Sequence, residues 1–128
     1  MHPLTAEWIS KAKGDFATAQ RELRARSSPN YDAACFPAQQ CVEKYLKTRL
    51  QEAGQVIPRT HDLVVLLNLL LPVEPAWTHL ASDLRARTVF GEAFRYPGSS
   101  ADRTMARDAV RRCAAVRKAV RQSFGLSV

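Results

Sequence analysis

Apolar residues recur at three- and four-residue intervals along almost the whole chain, in blocks separated by proline, glycine and asparagine, and nowhere alternate at the two-residue period of a strand. Such a chain has one economical solution, a set of amphipathic helices that bury their apolar stripes against one another. With 128 residues, 46% of them hydrophobic, there is enough apolar surface for one core and too little length for two. The fold class is therefore all-α, a single domain over residues 5–124.

The first helix starts after Thr5, a suitable N-cap, and runs to about Ala25. Trp8, Ala12, Phe16, Ala19 and Leu23 form its core face. Ser27-Ser28-Pro29-Asn30 breaks it, because Pro29 pushes Ser28 out of the helical region. A second helix spans about Tyr31 to Ala53 and stops at Gly54, with a kink or a break expected at Pro37. Its buried stripe includes Val42, Leu46 and Leu50 and leaves Glu43, Lys44 and Lys47 nearer the edge. Thr60-His61-Asp62 opens a short third helix, with Thr60 as cap. From Leu63 to Leu71 this helix is apolar nearly all round, which implies burial on several sides. Pro75 suits the first turn of a fourth helix carrying Trp77, Leu80, Ala81, Leu84, Phe90 and Phe94, which ends at Tyr96-Pro97-Gly98. Ser100 caps a fifth helix to about Ser123, in which Met105, Ala109, Cys113, Val116 and Val120 fall within an arc of roughly 80°. Short links between these segments imply antiparallel neighbours in a bundle.

Composition narrows the function. The longest greasy run, Leu63 to Leu71, is about half of the ~20 residues that cross a bilayer, so no membrane span is expected. The N-terminal residues mix Glu7 and Lys11 with apolar positions and do not read as an export signal, which favours the cytoplasm. Cys35, Cys41 and Cys113 all sit in helical segments, an arrangement suited to a reducing compartment. Cys35 and Cys41 lie about 240° apart round a helix, so they do not converge on a metal. Neither a glycine-rich phosphate loop nor a pair of catalytic carboxylates occurs at a recognisable spacing, and no cofactor is expected. The formal net charge of +7 points to an acidic partner, nucleic acid or protein. Much of the excess lies on the last helix, where Arg103, Arg107, Arg111 and Lys118 belong to a basic outer face that suits either phosphate binding or plain solvation.

Three motifs stand in order along the chain: Phe36-Pro37-Ala38-Gln39-Gln40-Cys41-Val42-Glu43-Lys44-Tyr45-Leu46-Lys47, then Thr60-His61-Asp62-Leu63, then Arg95-Tyr96-Pro97-Gly98. The ordered trio resembles the HEPN (higher eukaryote and prokaryote nucleotide-binding) family, in which an aromatic residue precedes Ala-Gln-Gln, Glu-Lys and Leu-Lys, with His-Asp-Leu and Arg-Tyr-Pro further on. The resemblance implies an up-and-down four-helix bundle with an additional short helix, usually a homodimer. It also implies a minimal nucleotidyltransferase as partner, in a two-component or toxin–antitoxin module, with nucleotide or RNA as ligand. Other members of the family are metal-independent ribonucleases that use an Arg followed four to six residues later by His.

Arg95 matches that arginine, but Tyr-Pro-Gly-Ser-Ser-Ala-Asp follows it and contains no histidine. Cleavage of RNA at a ribose hydroxyl needs a group that moves a proton near neutral pH, so the expectation is a non-catalytic protein. The alternatives are a ribonuclease toxin with a non-standard site built from Arg95, Tyr96 and His61, and a nucleic-acid-binding module. Lys44, Lys47, His61, Arg95 and Tyr96 are the candidate contacts to nucleotide or phosphate. Each also has an ordinary structural role: Asp62 and His61 suit a helix start, Arg95 suits a helix end, and Glu43 can pair with Lys47 at i,i+4 spacing.

Overall fold

A computed structural model of the chain describes residues 1–85 and 97–128. Among these residues the structure is all helical: α1 (Pro3–Arg24), α2 (Asp32–Glu52), α3 (Leu63–Leu70), a 3₁₀ turn (Pro75–Leu80), α4 (Ala81–Arg85) and α5 (Arg103–Ser123). No helix among them is long and apolar enough to cross a membrane.

The centre of the bundle is α2, which packs against α1 most extensively, then α5, then α3. Its position follows from its sequence. Ala34, Ala38 and Cys41 are small enough to let neighbouring helices approach, while Val42, Tyr45, Leu46 and Leu50 fill the space between them, and all seven are fully buried. Each buried leucine of this set contributes about 1.5–3 kcal/mol relative to an exposed one. From the other helices Ala12 and Ala19 of α1, Leu66 and Leu70 of α3, and Ala109, Cys113, Val116 and Val120 of α5 complete the core.

The expected break at Pro37 does not occur, and α2 runs through it. Pro37 stands in the second turn, where it forfeits one backbone bond, and the unbroken buried face on both sides of it offsets that loss. Gly54 adopts φ +71°, the left-handed conformation expected after the helix, and its amide bonds back to the Gln51 carbonyl at 3.1 Å.

Several expected caps shift by a few residues. His2, rather than Thr5, caps α1, its ring Nδ1 accepting from the Leu4 amide at 3.0 Å. Thr5 is fully buried, and its hydroxyl donates to Glu52 Oε2 at 2.8 Å, tying the start of α1 to the end of α2. That bond is the main reason the Glu52 carboxyl sits below its ordinary pKa. Asp62, rather than Thr60, caps α3 by accepting from the Val64 and Val65 amides, while the Thr60 hydroxyl accepts from the Asp62 amide. Asp102, rather than Ser100, caps α5.

Two faces differ from expectation. In α3, Leu63, Leu66, Leu67 and Leu70 are buried, but Val65 and Leu69 are exposed, and Val73 continues their stripe. The helix therefore buries one side only, because its contact within the bundle is chiefly with α2. Met105, expected inside, is 40% exposed, and Ala106 takes the core position. At about 100° per residue, Ala106 and Val110 swing the buried arc towards Cys113 and leave Met105 at its margin. The segment expected to open the fourth helix at Pro75 starts as a 3₁₀ turn, and Phe90 and Phe94 lie outside the described residues.

Candidate functional site

Gln39, Glu43 and Lys47 succeed one another every four residues along one face of α2, and all three are buried. Sequence pattern had placed Glu43 and Lys47 at the edge of the apolar stripe. They are covered because α2 is central, so that even its polar face meets neighbouring chain. Glu43 is the hub. Its Oε1 lies 2.7 Å from Nδ1 of His61, at the start of α3, and its Oε2 lies 3.4 Å from Nζ of Lys47. A carboxylate accepts, so the His61 Nδ1 carries the hydrogen of this bond and Nε2 faces away from Glu43. The side chain of Glu43 is only 7% exposed, whereas that of His61 is 78% exposed. An exposed imidazole is thus held at one nitrogen by a buried anion, and a buried ammonium balances the same anion. The Gln39 side-chain oxygen is buried with no donor among the described residues.

Lys44 belongs elsewhere. Its Nζ lies 2.5 Å from Asp15 Oδ2, an ion pair that joins α2 to α1 beside Trp8. The structure therefore brings Lys47 and His61 together round Glu43 and directs Lys44 to a different neighbour. Arg95 and Tyr96 lie outside the described residues. His61 precedes the helix and Asp62 does the capping, so the two residues expected to share that role divide it.

The basic residues of α5 separate into two groups. Arg103, Arg107, Arg111 and Lys118 are exposed, as a solvent-facing surface requires. Arg112, Arg117 and Arg121 are half-buried and structural. Arg112 bonds Asp108 at 2.9 Å and the Ser82 carbonyl at 3.0 Å. Arg117 lies 4.9 Å from the Phe16 ring centroid, and Arg121 reaches the Ser127 carbonyl at 2.5 Å. Partial burial acts to raise the Asp108 carboxyl, but hydrogen bonds from Arg112 and Arg111 outweigh it and hold the group below its ordinary pKa. Sequence reasoning passed over Arg24 and Arg26, which meet Arg103 and Arg107 round an open cleft. The available signal was the basic run Arg21, Arg24, Arg26 just before a predicted loop.

No group of three or more metal-ligating His, Cys, Asp or Glu side chains comes together among the described residues. The three cysteines are free and buried. Burial pushes the Cys35 thiol up to about 11, and the hydrogen bond that the Cys113 thiol donates to Cys41, together with burial, raises Cys113 well above the ordinary thiol value.

The HEPN domain model matches residues 5–123, nearly the whole chain. This chain is a member of the HEPN family. The fold also has a counterpart among solved structures. The crystal structure of TT1696 from Thermus thermophilus superposes with a TM-score of 0.76 at 22% sequence identity, covering 92% of this chain and 96% of that one. Likeness at that identity speaks for the shared fold alone. No match is found among curated proteins. In this HEPN domain the three motifs that resembled the family fall on α2, on the entry to α3 and, for Pro97 and Gly98, on the approach to α5.

Proposed function

We propose that this HEPN domain acts in the cytoplasm as a homodimer beside a nucleotidyltransferase partner, in a two-component or toxin–antitoxin module, and receives a nucleotide without cleaving RNA itself. The observation that carries this reading is a HEPN domain in which the stretch after Arg95, Tyr-Pro-Gly-Ser-Ser-Ala-Asp, offers no proton-moving side chain of the histidine type. Two further observations support it. The polar cluster on α2 is largely engaged internally, with Lys47 held by Glu43 and Lys44 by Asp15, which leaves His61 as the exposed member. Val65, Leu69 and Val73 give α3 an exposed apolar stripe of the kind that protein partners cover. In this reading Arg95, Tyr96 and His61 meet the nucleotide.

A second reading draws on one specific contact. The 2.7 Å bond from Glu43 fixes the tautomer and orientation of the His61 ring, as a carboxylate does for a general base, so His61 is the residue through which a ribonuclease of altered site would work. One experiment separates the two. The purified protein is incubated without metal with single-stranded and transfer RNA, alone and with a candidate minimal nucleotidyltransferase partner, together with Arg95→Ala and His61→Ala variants. Intact RNA and co-purification with the transferase are expected. Cleavage by the protein alone that either substitution abolishes would overturn the non-catalytic reading.

A further inference from the structure

At the far end of α2 from Glu43, the last turn of α1, the α1–α2 connection and the first turns of α5 surround an open cleft of about 730 Å³. That volume lies within the range of small-ligand sites, roughly 300–1,000 Å³. Four arginines line it, Arg24 and Arg26 from the end of α1 and the turn after it and Arg103 and Arg107 from α5, together with the half-buried Tyr31. Tyr31 precedes Glu43 by twelve residues of nearly continuous helix, about 18 Å along its axis, so the cleft is separate from the Glu43–His61 cluster.

All four arginines are exposed, and none has an ion-pair partner among the described residues. Among the described residues three other arginines are paired, Arg49 with Glu74 and Arg111 and Arg112 with Asp108. The two carboxylates near the cleft are committed to backbone amides, Asp32 to Ala101 at 2.6 Å and Asp102 to Met105 at 2.8 Å. Arg103 and Arg107 stand one helical turn apart, about 6 Å along α5, with the positive end of that helix beneath them.

We propose that this cleft binds closely spaced phosphate groups, presented by the backbone of single-stranded RNA or by a free nucleoside triphosphate. Phosphate suits the site because guanidinium forks bind its oxygens two at a time, because the four cations come from two stretches of chain distant in sequence that converge, and because every one of them is arginine. Tyr31 supplies an aromatic surface of the kind on which a base stacks.

Fluorescence anisotropy of the full chain tests this with two probes, a labelled single-stranded RNA of mixed sequence and a fluorescent ATP analogue, over a series of salt concentrations. The variant Arg24→Ala with Arg107→Ala removes two cleft cations, and Arg59→Ala with Lys13→Ala removes the same charge from exposed positions outside it. The cleft variant is expected to bind RNA about tenfold or more weakly, with a salt slope shallower by about 1.4, two contacts at ~0.7 each. The control is expected to stay within about twofold of the wild type. Binding of RNA but not of the ATP analogue would identify the strand as the source of phosphate, whereas displacement of RNA by ATP would identify a free nucleotide as sufficient. Arg26→Ala with Arg103→Ala serves as a second cleft pair, so that a folding defect in one pair does not decide the matter. No binding of either probe at about 50 mM salt, or equal losses in control and cleft variants, would overturn the proposal.

Discussion

Replacing Glu43 with leucine removes the anion between Lys47 and His61. The Lys47 side chain is only 10% exposed, so its ammonium would be left buried beside an apolar group. Breaking a buried pair from one side costs about 3–5 kcal/mol, and the 3.4 Å separation argues for the lower end. For 128 residues the unfolding entropy near the midpoint is about 0.27 kcal/mol/K, at ~2.1 cal/mol/K per residue, so a loss of ~3 kcal/mol lowers Tm by roughly 11 °C. Lys47→Met should fall by a similar amount, because it strands the carboxylate with only an exposed imidazole beside it. The double variant Glu43→Leu with Lys47→Met leaves neither charge unpaired and should recover most of the loss, within ~1 kcal/mol of the wild type. Scanning calorimetry of all four proteins, with urea unfolding as a second measure, closes the cycle. A Glu43→Leu protein that melts within about 2 °C of the wild type would show that water reaches Lys47 freely and that the cluster is not buried in the sense used here.

Asp62→Ala removes the side chain that caps α3 and should cost about 0.5–2 kcal/mol in urea unfolding, whereas Thr60→Ala, which leaves the α3 amides capped, should cost less. The Glu52 carboxyl is depressed in the folded state, so its stabilising contribution is present above the unfolded pKa and is lost as pH falls through the folded one. Thr5→Val should flatten that acid-side dependence when stability is measured between pH 6 and about pH 3. Cys35, Cys41 and Cys113 should resist iodoacetamide at about pH 8 in the native protein and react in urea, as counted by mass spectrometry, because burial withholds access to all three and thiolate from Cys35 and Cys113.

Much of the architecture is legible in the sequence, because three long helices carry stripes that only one period explains. The expected ends of α2 and α5 lie within a few residues of the observed ones, and Gly54 adopts the φ that its position requires. The misreadings share a cause. Thr5, Met105, Val65 and Leu69 were judged by residue type, whereas their burial depends on which neighbour each helix end meets. A threonine before a periodic run reads as a cap until a glutamate forty-seven positions away proves to be its partner. The candidate site is harder to read for the same reason. Glu43 and Lys47 are adjacent on a helix and could be paired from spacing, but their burial, and the approach of His61 from the next element, are tertiary facts. Lys44 looks equivalent to Lys47 in the sequence and differs only in what lies across from it. Arg24 and Arg107 are more than eighty residues apart, so no local pattern links them.

The bond from Asp32 to the Ala101 amide has a consequence for motion as well as for capping. It joins the first residue of α2 to the strap that leads into α5, across sixty-nine positions of sequence. Two of the cleft arginines therefore ride on a helix whose leading end is moored by a single carboxylate, while the other two ride on α1 and the turn just after it. Losing that mooring, by Asp32→Ala, which removes the accepting oxygen, is expected to let the two halves of the arginine ring move apart with every cation still present. Grip on a polyanion would then weaken through geometry although a negative charge has been removed, which sets the cleft apart from a merely basic surface.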